Sequence, residues 1–300
     1  MNEAAWSLGV TIACMSFLAM SAYLLLLAGK LSFGQQMYFG IGAYATAMLT
    51  SLWGWNLWVA SLVAAAINAL IGGSLARLLR DLYGAPFAVA SLLLAELCRL
   101  GFSQFEFTRT IHGELLGPQG LNGFGQIRWV LEQGWNIRDY ALVVFGFLVS
   151  VLAIFYLIEN SRTGLRLRML GVDPMLARCQ GIRVDHYQVA VGAVAACVAS
   201  LGGGFYAHSM TYIEPALFDL MMGVHAVLYA YIGGLGSVLG ALLGVAFDIG
   251  ILAFIDTIRQ HRMTLFAMVM LILLIVRPRG ILDESLARRL RLLPRSRHAP

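Results

Sequence analysis

The sequence predicts an all-α, polytopic membrane protein, and three observations carry that prediction. Of its 300 residues, 59% are hydrophobic and 12% charged, against roughly half and a quarter in soluble domains. Mean hydropathy is +0.76. The charges gather between long uncharged runs, such as Trp6 to Gly29, which holds no Asp, Glu, Lys or Arg and exceeds the roughly 20 residues that a helix needs to cross a bilayer. The basic pI of about 9.2 then reports orientation in a membrane rather than nucleic-acid binding, because the positive charges fall in loops and the tail.

The first span is placed at residues 6–28. The preceding MNEAA lacks the positive region of a secretory signal, so a retained helix is expected. The uncharged run from Gln35 to Ala76 is too long for one helix. It divides at SLWGWNLW, where Gly54 and Asn56 mark a turn and Trp53, Trp55 and Trp58 suit a membrane interface. Spans are thus expected at 36–52, 57–78, 84–103, 138–158 and 188–208. The stretch 217–255 is broken at GGLGS (233–237), and 263–277 completes about nine membrane segments. All belong to one domain over residues 1–300, with an external loop at 104–137, a basic island at 159–187 and a basic tail at 278–300.

Orientation follows from charge. With the island inside, fifteen Lys and Arg residues fall on the cytoplasmic side, Lys30 among them, against five outside. This fits the positive-inside rule and places the N-terminus outside and the C-terminus in the cytoplasm. The spans at 6–28, 36–52 and 57–78 then run opposite to those at 188–208, 217–232 and 238–255, as an inverted repeat would. Gly40, Gly42, Gly233 and Gly234 mark points where spans break, which is tolerated only against protein or a water-filled cavity. Gly236, Gly240 and Gly244 form a flat stripe, for packing inside the chain or for a dimer seam. Cys14, Cys98, Cys179 and Cys197 include no CxxC and read as small apolar residues, supporting neither a disulfide framework nor a metal site.

Within the island, Asp173 is placed to cap a helix that begins at Pro174, continues through Met175 to Gln180 and stops at a left-handed Gly181. Such a short helix is marginal alone and needs a surface to pack on. It reads either as a loop anchored at anionic lipid heads or as a docking helix for a cytosolic engine.

MLARCQG (175–181) resembles the EAA-x3-G coupling motif of ABC importer permeases. Ala177 and Gly181 match, while Met175 and Leu176 stand where Glu and Ala are usual. The chain as a whole resembles the branched-chain amino acid permease family. The likeness rests on LSFGQQMYFGIGAYATAML (31–49), AELCRL (95–100), GPQGL (117–121), SRTGLRLRMLG (161–171), GGFYA, YIEPALF, GGLGSVLGALLG and RPRGIL (277–282), in the family's order. The resemblance implies an inner-membrane subunit of an ATP-driven importer. Its partners would be a second permease, two cytosolic ATPases and a periplasmic solute-binding protein. Gly164, Asp173, Pro174, Ala177, Arg178 and Gly181 would serve the ATPase contact. The chain has no GxxxxGK[ST], so ATP would be hydrolysed by the partners and no cofactor of its own is expected.

Glu96 and Arg99 lie one turn apart in an apolar span, where each charge costs about 2.5–3.5 kcal/mol at the centre. A structural ion pair near the outer end is expected in preference to direct contact with the solute. Gln35, Gln36, Tyr38 and Tyr44 sit at the start of the second span. His225 and Tyr229 share a face before the second break, and they either line a solute path or pack internally. Family members often carry a small hydroxyl residue in place of Gly223, and His225 is also a departure. Mixed charge in the 104–137 loop suits a soluble partner or simple solvation. No HExxH, GxSxG or histidine–carboxylate cluster supports an enzyme. The rival reading is a secondary transporter or channel that needs no ATPase, although intramembrane acids are few for a proton relay.

Overall fold

The computed structural model describes residues 3–111, 114–234 and 236–251, with isolated positions between 264 and 275. The expected span at 263–277 lies largely outside the described residues, and the basic tail wholly so. Eleven helices are seen among the described residues: α1 (Glu3–Leu27), α2 (Gln35–Trp53), α3 (Leu57–Leu78), α4 (Ala85–Gln104), α5 (Trp129–Glu132), α6 (Ile137–Glu159), α7 (Arg162–Val172), α8 (Pro174–Cys179), α9 (Val184–Met210), α10 (Leu220–Gly233) and α11 (Val238–Val245). Five are long and apolar enough to cross a membrane, or six if the bent pair α10 and α11 counts as one span.

Burial sorts these helices into layers. α1 and α9 are buried over 83% and 72% of their most apolar windows, against 22% for α4 and 28% for α6. α1 and α9 therefore form the centre, and α4 and α6 turn Leu93, Leu97, Val149 and Leu157 outward, as a lipid-facing ring does. The central helices approach closely because small residues line the seams. A Cβ on Gly203 of α9 would fall 1.9 Å from the Phe39 carbonyl oxygen of α2.

That seam corrects one expectation. α2 runs unbroken through Gly40 and Gly42. A Cβ on Gly42 would strike the Ser200 carbonyl oxygen at 2.3 Å, so this glycine serves close packing, not a break. The second break is where it was expected. α10 ends at Gly233, Gly234 takes φ +95°, and the chain turns through 117° into the next helical stretch. The glycine stripe packs inside the chain, with Gly240 against Gly233 and Gly244 against the Tyr229 backbone.

The two ends of the bundle differ. At one end, which we call the arm end, α1, α3 and α6 finish, α4 and α9 begin, and α7 and α8 lie between α6 and α9. At the other, the 105–136 connection contains a two-stranded hairpin, Arg109–Ile111 with Glu114–Leu116, where only a loop was expected. A bridge between Phe124 and Ile213 ties this connection to the segment after α9. Trp53 and Trp55 are exposed there. Trp58, two residues into α3, is half-buried and packs against Trp129, Trp135, Phe147 and Phe205.

Candidate functional site

Two non-helical segments enter the bundle from opposite ends. Residues 28–34 fold inward from the arm end, so that α2 starts at depth. The Phe33 amide donates to Ser91 Oγ at 3.1 Å, and Gln35 Oε1 accepts from Ser21 Oγ. Ser21 and Ser91 each lie six residues inside their helices, about 9 Å from the end at 1.5 Å per residue. From the other end, residues 211–219 bring in a 3-10 turn at Pro215–Phe218, and Asp219 caps α10 through the Met222 amide at 3.0 Å. α10 thus starts at Leu220, where the sequence had placed a span from 217.

The segments meet at Gln36 and Gly223. A Cβ on Gly223 would fall 2.1 Å from Gln36 Oε1 and 2.6 Å from the Phe33 backbone carbonyl oxygen, so the amide and this fixed carbonyl leave room for glycine here. Gln36 is 1% exposed, and its Oε1 has no hydrogen-bond partner among the described residues; neither has the buried Tyr44 hydroxyl. Tyr44 stacks on Phe102 with ring centroids 4.5 Å apart, and Phe218 tilts against both. Gln36 thus lies unpaired at the start of a helix without a side-chain cap, and the Tyr44 hydroxyl lies unpaired beside an aromatic wall eight residues, or about 12 Å, further along α2.

The other expected path residues separate from this group. Gln35 and Tyr38 turn toward a cavity of about 30 Å³ shared with Ser91 and Phe87, which has room for about one water and none for an amino acid. Tyr229 donates to Asp248 Oδ2 at 2.7 Å, which joins α10 to the π-helical turn Ala246–Ile251 that follows α11. His225 lies on the same face, its ring 5.9 Å from that of Tyr229, with Nδ1 2.7 Å from the Met221 carbonyl oxygen. Glu96 and Arg99 pair on α4, with Nε 2.8 Å from Oε1, and their side chains are partly exposed, 41% and 27%.

The 161–183 arm is built by local capping. Ser161 accepts from the Thr163 and Gly164 amides and starts α7. Gly164 lets α7 turn tightly off α6, since a Cβ there would fall 2.4 Å from the Ile158 carbonyl oxygen. Asp173 Oδ1 accepts from the Met175 and Leu176 amides at 2.8 and 3.1 Å, Pro174 opens α8, and Gly181 ends the turn at φ +79°. Ala177, expected at a docking contact, is 1% exposed and faces its own chain. The side chains that stand clear are Val172, Met175 and Leu176. Arg178 pairs with Asp185 at 3.1 Å. Arg166, Arg183, His186 and Tyr187 line an open cleft of about 340 Å³ beside Gly181.

Against known proteins, residues 6–277 match the model of the family described as "Branched-chain amino acid transport system / permease component". The chain belongs to that family. It is 24% identical over 280 residues to the high-affinity branched-chain amino acid transport system permease protein LivM of Escherichia coli K12, covering 86% of this chain and 65% of LivM. It is 26% identical over 278 residues to the corresponding LivH of the same organism, covering 85% of this chain and 86% of LivH. The chain thus spans slightly under two thirds of LivM's length. No solved structure matches.

This permease-family chain also holds features that its sequence did not disclose. Lys30, counted among the charges of the cytoplasmic side, is 3% exposed. Its Nζ donates to the carbonyls of Leu79, Arg80 and Leu82 at the end of α3 and sits over the Tyr83 and Phe87 rings. Burial pushes its ammonium down to about 8, with the Asp81 charge opposing, so it remains protonated at neutral pH. Helix carbonyls attract such a cation, and Gly29-Lys30 at a span's end was the available signal. Glu159, assigned to the polar island, is buried and joined to α1 and α11. Cys179, read as a small apolar residue of the interior, is exposed. In α8 the inward face is taken by Ala177.

Proposed function

We propose that this chain is the inner-membrane permease subunit of an ATP-driven importer. It would pair with a second, related permease and take solute from a periplasmic binding protein. Two cytosolic ATPases would dock on the arm and hydrolyse the ATP. The family match over residues 6–277 carries the reading. The arm end is then cytoplasmic, with the N-terminus outside and the C-terminus inside. Matches to both LivM and LivH, two permease proteins of branched-chain amino acid transport, support a paired permease.

Val172 at the end of α7 and Met175 and Leu176 on α8 offer an apolar docking face, with the cleft lined by Arg166, Arg183 and His186 beside it. Gly164, Asp173, Pro174, Arg178 and Gly181 set the position of that face. The solute is a branched-chain amino acid or a related small polar molecule. Gln36 Oε1 is the acceptor for its ammonium group, the uncapped start of α2 suits a carboxylate, and Tyr44, Phe102 and Phe218 provide an apolar wall. Alternating access moves the solute past these residues as the arm is displaced.

Reconstitution with the partners tests this directly. Uptake of radiolabelled leucine into liposomes should require ATP and all subunits, and Gln36→Leu should abolish most of it. Uptake by the purified chain alone, without ATP, would instead establish a secondary transporter.

A further inference from the structure

The arm touches the bundle at defined points, and one of them is charged and buried. Glu159, the last residue of α6, is 6% exposed. Its carboxylate accepts from Tyr23 of α1, from Ser237 Oγ at 3.3 Å and from the Val238 amide at 2.7 Å. The Val238 amide can only donate, and the Tyr23 and Ser237 hydroxyls are placed to do the same, so the carboxyl group ties three elements together. The Val238 amide is the first of α11, where a negative charge is also favoured by the helix dipole. Arg168 of α7 reaches the same place. Its Nη2 donates to the Gly236 carbonyl oxygen at 3.1 Å, next to Ser237 and Val238.

α7 is therefore fixed along its length. Its start lies against the end of α6 at Gly164, and its end lies against α1, where a Cβ on Gly171 would fall 2.4 Å from the Leu27 carbonyl oxygen. Between these contacts, Arg168 holds the α10–α11 bend. α8 follows α7 through the single residue Asp173, so a push on α8 reaches the bundle through α7. Packed elements of this kind shift as units rather than deform.

We propose that Glu159 and Arg168 are positioning residues that clamp α7 to the α10–α11 bend, so that displacement of α8 is delivered to α11 and, through α10, to the Gly223–Gln36 contact. The inference rests on the importer reading, which supplies the push. Neither residue touches solute or ATP in this scheme. Their loss should uncouple the two processes instead of stopping either one.

The test is to measure ATP hydrolysis and solute uptake together in the complete transporter, purified and reconstituted in liposomes. The variants are Glu159→Gln, Arg168→Met, Arg168→Lys and Ser237→Ala. Glu159→Gln and Arg168→Met should assemble and hydrolyse ATP within about twofold of wild type while moving about five- to tenfold less solute per ATP, with Arg168→Lys recovering at least about half of the loss. Uptake and hydrolysis falling by one common factor with the yield of complex would mark a merely structural role and overturn the clamp. Unchanged solute per ATP would overturn it as well. Should Glu159→Gln fail to assemble, Ser237→Ala decides, because it deletes a hydroxyl while keeping the carboxylate. A normal ratio there overturns the clamp, and a lowered ratio at normal yield upholds it. A wild-type chain that recovers no ATPase refutes the importer reading and the clamp with it. A wild type that imports normally beside variants of unaltered ratio refutes the clamp alone.

Discussion

The two irregular stretches of this bundle, residues 31–36 and the bend at 233–234 and 236–238, are held by opposite kinds of chemistry. The first is fastened around Gln35 by neutral hydroxyls and amides, from Ser21, Ser32 and Ser91, and it leaves Gln36 Oε1 without a partner. The second is fastened by the carboxylate of Glu159 and the guanidinium of Arg168, with the polar groups around them satisfied. The contrast separates two tasks. A site that must take and release a small solute keeps unpaired neutral groups, because a full charge would hold the solute or cost too much to desolvate. A joint that must transmit movement uses charge-assisted bonds, which are stronger and more directional.

That comparison predicts graded effects. The largest belongs to the charged joint. Glu159→Leu should remove the acceptor that the Tyr23, Ser237 and Val238 donors share, costing about 3–5 kcal/mol at about 1–3 kcal/mol for each buried donor that loses it. Loss of monodisperse protein on size exclusion, or a much lower unfolding temperature in detergent, would register it.

Next is the Lys30 anchor, which fixes the outer boundary of the neutral stretch by bonding three carbonyls. Lys30→Met should cost about 2–3 kcal/mol, as loss of hydrogen bonds from a charged donor does. Thermal unfolding against wild type measures this, and an unchanged midpoint would place the lysine in solvent.

The neutral site itself should respond the other way round. Gln36→Leu removes an acceptor that has no partner, so stability should stay within about 1 kcal/mol. Uptake should fall about tenfold, equivalent to about 1.4 kcal/mol. Equal losses in stability and uptake would erase the distinction between the two stretches.

The smallest effect is expected at the arm's own cap. Asp173→Ala loses two amide bonds at the start of α8 and should cost about 1 kcal/mol. Hydrogen exchange at the Met175 and Leu176 amides would report it while the membrane helices remain protected.

What the sequence disclosed follows the range of the forces involved. Asp173, Pro174 and Gly181 were legible because capping acts over three or four residues and leaves its signature in order along the chain. The break at Gly233 and Gly234 was legible for the same reason, as was the layout of the long apolar helices. α7 was not, because RTGLRLRMLGV reads as a basic loop until Ser161 is seen to cap it and Gly164 and Gly171 to seat it against α6 and α1.

Gly40 and Gly42 gave the right residue type for two different jobs. Only the presence of α9 across the seam shows that Gly42 admits Ser200 rather than breaking a helix. Lys30 was misplaced in the same way. Lysine is usual at membrane interfaces, but this one is drawn inward by carbonyls some fifty residues along the chain, at the end of α3. The Gln36–Gly223 contact joins residues on different helices, so no local pattern announces it. The departure at Gly223 was visible as an oddity, and the amide packed against it is the structural reason for it.

The most direct test of the account is to purify the tagged chain from its native membrane, identify what accompanies it and assay the assembly in liposomes. The account predicts recovery of a second permease and cytosolic ATPases, with leucine uptake that requires ATP. A chain that purifies alone and moves solute without ATP would contradict it.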